Sequence, residues 1–199
     1  MDWVTNFETR LGGGALDAST LVLVEGISDK VALETLAARR GRDLGADGVT
    51  VLAIGGAQAL GNVLREIRAH ERGLRLAGLC DAREEGGFQR ALESAGLGSD
   101  LTRETMEELG FYVCDPDLEG ELISALGAVA VEAVLERNGK LGSFRTFQKQ
   151  PQWQGRPPEA QLRRFFGSSA GKIRFARLLV DALDHDRVPR PLDRLLAHV

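Results

Sequence analysis

Four short apolar runs constrain this chain most: "TLVLV" at 20–24, "VTVLAI" at 49–54, "LRLAGLC" at 74–80 and "FYVC" at 111–114. They show little of the alternation that marks a strand with one wet face. Strands of this kind are buried on both sides, which requires helices above and below a mainly parallel sheet. The intervening sequence supplies such helices. "KVALETLAARR" places Val31, Ala32, Leu36 and Ala37 on one face, and "AQALGNVLREIRAHE" does the same with Leu60, Val63, Leu64 and Ile67. A four-stranded α/β sheet with right-handed crossovers is the expected core.

Beyond Asp81 the pattern loosens. "AREEGGFQRALESAGLGSD" reads as a loop and a short helix, and "LTRETMEEL" as another short helix. "DLEGELISALGAVAVEAVLERNG" reads as one or two helices with a break near Gly127. Residues 139–158 are rich in Gly, Gln and Pro and predict a loop or extended excursion. Two helices close the chain. In the first, Ile173, Ala176, Leu179, Val180 and Leu183 form the apolar face; Pro191 opens the second. The expected layout is an α/β domain over 1–127, with an N-terminal helix at 3–11, and a basic helical extension over 128–199 packed on it.

No apolar run approaches the roughly 18 residues of a membrane span. The opening "MDWVTNFETR" is acidic and amphipathic, unlike a secretory leader. The two cysteines, Cys80 and Cys114, fit buried reduced thiols. A cytoplasmic protein is expected. His70, His185 and His198 are scattered and carry no assigned role.

Charge is distributed unevenly along the chain. Residues 1–136 carry 12 basic and 24 acidic side chains, whereas 137–177 carry ten basic residues against Glu159 alone. So cationic a stretch points to phosphates as partners. Arg163, Arg164, Arg174 and Arg177 are the expected nucleic-acid contacts, while the interleaved aromatics serve mainly the core.

The acids gather where strands end. Glu25 follows the first strand and Asp29 lies within a turn of it; Asp81 closes the third; Asp115, Asp117 and Glu119 follow the fourth. In open parallel sheets those ends share one edge, where ligands bind. Crowded carboxylates repel, and a hard cation such as Mg²⁺ relieves the repulsion. Simpler roles compete: Asp29 as a first-turn acid behind a Ser28 N-cap, Asp115 as an N-cap, Asp117 and Glu119 as first-turn acids. Glu25 caps no obvious helix, and Asp81 is similar.

"LVLVEGISDKVALETLA", the Gly55–Gly56 pair and "LCDAREEGG" resemble the TOPRIM domain, and within it the TOPRIM half of the overcoming-lysogenization-defect (OLD) nucleases. The likeness is good over about 18–127 and looser in "DLEGEL" and the basic tail. It implies a TOPRIM-like, Rossmann-like sheet and divalent-cation-dependent phosphodiester cleavage with Mg²⁺ or Mn²⁺. Glu25, Asp29, Asp81 and Glu119 would be the metal ligands, and Glu25, Asp81 and Lys172 the catalytic set, with Lys172 at the phosphate. DNA is the expected substrate ahead of RNA.

Two departures qualify the resemblance. The second aspartate of the DxD motif is replaced by Arg83, which cannot ligate a cation; either Glu84, Glu85, Asp115, Asp117 or Glu119 compensates, or the site holds one metal, or activity is lost. No ATPase accompanies the domain, since "GSSAGKI" at 167–173 has the wrong glycine spacing and Ile173 where Ser or Thr is needed. A separate ATPase subunit is therefore an expected partner, and a homodimer is left open. Arg83 keeps a second reading alive, a TOPRIM-like module that binds nucleic acid or a partner without turnover. An aspartyl-phosphate protein, phosphorylated at Asp81, is opposed by the basic tail and the "EGISD" spacing.

Overall fold

In the computed structural model, residues 18–70, 73–167 and 171–199 are described. The helix expected at 3–11 lies outside them. The four strands are β1 (Thr20–Val24), β2 (Val49–Ala53), β3 (Arg75–Asp81) and β4 (Phe111–Cys114), all parallel, in the order β2-β1-β3-β4. The expected α/β class and parallel sheet are what the chain forms.

Successive strand residues face opposite sides, and both sides are dry. Val22, Val24, Val51, Ala77, Leu79, Tyr112 and Cys114 point into one core; Leu21, Leu23, Leu52, Cys80, Phe111 and Val113 point into the other. This explains why the strands read as unbroken apolar runs. It also separates the two buried, free cysteines onto opposite faces of the sheet.

The second core is covered by α2 (Ala57–His70), α3 (Glu85–Ser94) and α4 (Arg103–Glu108). The first is covered by α1 (Ile27–Arg39), α5 (Leu118–Leu126) and α6 (Ala128–Arg137), split at Gly127, together with helices from the C-terminal third. These are α7 (Leu141–Gln148), α8 (Pro158–Gly167), α9 (Lys172–Ala182) and α10 (Arg190–His198). Phe144, Leu162, Phe166, Leu179 and Leu192 belong to the same core as Val22 and Val24.

Two sequence expectations are corrected. The predicted excursion at 139–158 contains helix α7, because Phe144 and Phe147, three residues apart, turn into an aromatic cluster with Phe165. Its Gly and Gln content disguised that spacing. Ile173, assigned to a buried face, is 46% exposed; Phe175 takes the inward position instead. Phe165, Phe166 and Phe175 serve the first core as expected.

Three arginines at the end of α1 and just beyond it fasten the last helices. Arg39 donates to the carbonyls of Val180 and Leu183, Arg40 pairs with Asp193, and Arg42 reaches the main-chain oxygens of Leu196 (2.6 Å) and Val199 (2.8 Å). The last carbonyls of a helix have no partner within it, and a cation there also meets the negative end of the dipole. Arg42→Ala should therefore cost about 2 kcal/mol and lower the melting temperature by roughly 4–8 °C. Thermal unfolding followed by circular dichroism measures this; an unchanged midpoint would show that the clamp contributes nothing.

Candidate metal centre

The strand order makes the chain leave β1 to one side for β2, then return across it to β3. A crevice opens where the loops after β1 and β3 diverge. Glu25 stands directly after β1, and Asp81 is the last residue of β3. One Glu25 oxygen accepts a 2.7 Å hydrogen bond from the Asp81 N–H, so the two strand ends are tied through the carboxylate. The Glu25 carbonyl is held as well, by the N–H groups of Gly55 (2.9 Å) and Gly56 (3.3 Å). Both glycines have positive φ, 85° and 106°, a conformation in which a side chain is strained. The glycine pair thus positions Glu25.

Asp29 lies in the first turn of α1. Its carboxylate accepts from the Gly26 N–H at 2.7 Å, so Gly26 is the N-cap and the expectation of Ser28 in that role is corrected. Similarly, the N-cap of α5 is Asp117, whose Oδ1 accepts from Gly120 N–H at 2.8 Å, and Asp115 does not fill it. Glu119, in the first turn of that helix, is 7% exposed. Lys172 opens α9 and brings its ammonium to 3.2 Å from Glu119 Oε1. Oε1 is buried, with the Lys172 ammonium as its ion-pair partner.

Burial chiefly, then Glu25, Asp29, Asp117 and Glu119, push the Asp81 carboxyl up to about 7. Burial also raises Asp29 to about 6, against the Gly26 hydrogen bond and with help from Glu119. Glu25 is raised by burial, opposed by the Asp81 N–H. Burial disfavours the charged form of Lys172, yet Glu119, Asp29 and Asp81 together hold its pKa above the usual range. Negative charge is therefore held at one edge with too little positive charge to balance it. A divalent cation relieves that. Among the described residues no group of three or more Asp, Glu, His or Cys side chains is already placed to hold a metal ion. Mg²⁺ needs no such group, since it usually keeps several waters and takes one or two carboxylates. The residues present fit such an ion.

The compensating acids fare differently. Arg103 binds Glu85 (2.6 Å) and Asp115 (3.2 Å) together, and Arg163 binds Asp117 at 2.7 Å. Glu84 keeps only a loose 4.0 Å contact with Arg83, and its charge is felt at Glu25. Arg83 itself is 78% exposed, 3.9 Å from Asp81.

A groove of about 440 Å³ adjoins the acids. Asp81, Arg83, Asp117, Glu119, Arg163, Arg164, Lys172 and Trp153 line it. Arg174, which donates to Asn138, and Arg177, paired with Asp181 beside a separate groove between α1 and α9, are not among its lining residues. Sequence reasoning missed Trp153, which stacks on Phe147 (ring centroids 5.2 Å apart), and the neutralising Arg103. Neither follows a spacing that links it to the acids.

A parallel 2-1-3-4 sheet with acids after its first and third strands resembles a TOPRIM-like fold. More narrowly, residues 18–82 match the family described as overcoming lysogenization defect protein-like, TOPRIM domain. The fold is similar to the C-terminal region of the Xanthomonas campestris pv. campestris OLD protein, with a TM-score of 0.72 and 20% identity, covering 94% of each chain. It is also similar to the C-terminal region of the Burkholderia pseudomallei OLD protein, with a TM-score of 0.66 and 19% identity, covering 91% of this chain and 96% of that one. No curated protein matches the chain. The resemblance read from "LVLVEGISDK" and the first four residues of "LCDAREEGG" thus holds in the family match, and the fold agrees with it. The family match ends one residue before Arg83.

Proposed function

We propose that the chain is a divalent-cation-dependent nuclease of the OLD TOPRIM type. The observation that carries this reading is the convergence of Glu25, Asp29, Asp81, Glu119 and Lys172 at one sheet edge, beside a groove bearing Arg163 and Arg164. Glu25, Asp29, Asp81 and Glu119 would hold Mg²⁺ or Mn²⁺. When bound, such an ion lowers the pKa of a coordinated water and stabilises charge on phosphoryl oxygens. Glu25 presents an oxygen oriented by the Asp81 N–H and by the glycine pair behind it. Asp81, whose proton is held up to about pH 7, would release that proton to solvent in order to ligate a cation. Lys172, kept cationic by Glu119, offsets charge gathering on the phosphate. Arg163 exchanges Asp117 for a backbone phosphate, and Arg164 contacts the strand beside it. An ATPase is the partner that the OLD resemblance implies.

Supercoiled plasmid and single-stranded oligonucleotides, incubated with Mg²⁺, Mn²⁺ or EDTA, test this reading. Nicked or shortened products are expected with either cation and none in EDTA. Arg83, in place of a second DxD carboxylate, favours one other reading, binding without turnover. Retained binding with no product in any cation would establish it. For binding, fluorescence anisotropy in Ca²⁺ should show Arg163→Ala/Arg164→Ala weakening all sequences alike. The slope of log affinity against log salt should fall by about two.

A further inference from the structure

The larger cavity of this face is not the one beside the acids. It is a groove of about 560 Å³ between α2 and α3, bearing Arg65, Arg90 and Arg83, with Glu84 and Gln58 at its side. Its arginines come from the half of the chain that is net acidic, so the charge run of the C-terminal third does not predict it. Gly61 lies in its wall, where even a Cβ would meet nothing within 4 Å, which leaves room for a bulky ligand. Arg83 lines both this groove and the one holding Asp81 and Lys172. It therefore stands on the ridge between them. Its contacts to Asp81 and Glu84 are long, 3.9 and 4.0 Å, and its side chain is 78% exposed, so it is free to turn towards a ligand.

We propose that the α2–α3 groove is a second phosphate-binding track, carrying the nucleic-acid strand past the acids on the side opposite Arg163 and Arg164, with Arg83 as the contact at the crossing. This rests on the nuclease reading and deepens it. Guanidinium groups suit phosphate oxygens through paired N–H donors. Arginines on two helices, opening onto the acid edge through a third, suit a continuous strand better than one isolated phosphate. Glu84 is the single acid in the groove lining, and it already lies beside Arg83. In this arrangement Arg83 is a substrate contact rather than a lost metal ligand. The strand extends from the reacting phosphate in both directions, so cleavage is internal.

Anisotropy with labelled single-stranded DNA in Ca²⁺ tests the track at two lengths. A strand of about 4 nucleotides fills one groove only, and one of about 16 spans both. Arg65→Ala/Arg90→Ala should lower the salt slope for the long strand by about two. Affinity for the short strand should stay within about twofold, because the carboxylate-side groove is intact. Equal losses at both lengths would reveal general charge removal and overturn the track, as would an unchanged long-strand slope. In either case, retained binding by the parent leaves the nuclease reading standing. If the parent binds neither strand, that reading fails first, and the track with it.

Discussion

Glu25→Gln and Asp81→Asn should each reduce cleavage at least a hundredfold, since loss of even a group that merely supports a metal ligand costs 10- to 100-fold. Neither change should disturb the fold. Glutamine keeps an oxygen to accept the 2.7 Å hydrogen bond from Asp81 N–H, and asparagine keeps the shape of aspartate at the end of β3. Both remove negative charge from an edge where the carboxylates repel, so at pH 8 without metal the variants should melt above the parent. Calorimetric titration with Mn²⁺ separates binding from chemistry. Parent-like Mn²⁺ binding in both variants would show that these carboxylates are not ligands.

Metal-free stability should fall as pH rises from 5 to 8, opposite to the usual behaviour of an acidic protein. Asp81 and Asp29 are shifted up, to about 7 and about 6, from ordinary values of 3.8, mainly by burial. Between those limits the folded state binds more protons than the unfolded chain, so the derivative of unfolding free energy with pH is negative. Their stabilising contribution is complete below about pH 4 and lost as pH passes through 6 and then 7. Because the groups are coupled and partly solvated, the loss across pH 5–8 is on the order of 3 kcal/mol. For a chain of this size that is a drop in melting temperature of roughly 6–12 °C. Glu107, held low by Arg190, is already ionised throughout this window and contributes no slope. Excess Mn²⁺ should raise the melting temperature more at pH 8 than at pH 5, because protons compete with the cation for the same oxygens. Asp81→Asn should flatten the profile. A parent whose melting temperature rises steadily from pH 5 to 8 in EDTA would contradict the shifts.

Much of this edge was legible in the chain because parallel sheets impose a rule on sequence. A strand buried on both faces must be apolar throughout, so an acid at its end is conspicuous, as Glu25 and Asp81 are. That rule does not extend to the acids further on. Asp115, Asp117 and Glu119 occupy five residues and look equivalent in sequence, yet they diverge in three dimensions. Asp115 is taken by Arg103, Asp117 caps α5 and binds Arg163, and Glu119 turns inward to Lys172. The basic tail shows the same limit. Ten cations predicted a phosphate surface, but Arg163, Arg164 and Lys172 line the groove while Arg174 and Arg177 have partners elsewhere.

The sequence by itself determined the parallel α/β sheet, the helices beside it and the strand-end position of Glu25, Asp29 and Asp81, because hydrophobic periodicity and strand polarity are local properties. Tertiary structure alone decided which charges remain available. It brought Arg103 across to Glu85, Arg163 to Asp117, and Lys172 to Glu119, 53 positions away. It also set Arg65 and Arg90, from the helices that precede and follow β3 in the chain, around one groove opening at Arg83. Ion pairing depends on distances of a few ångströms between residues remote in the chain, and residue spacing does not encode those distances.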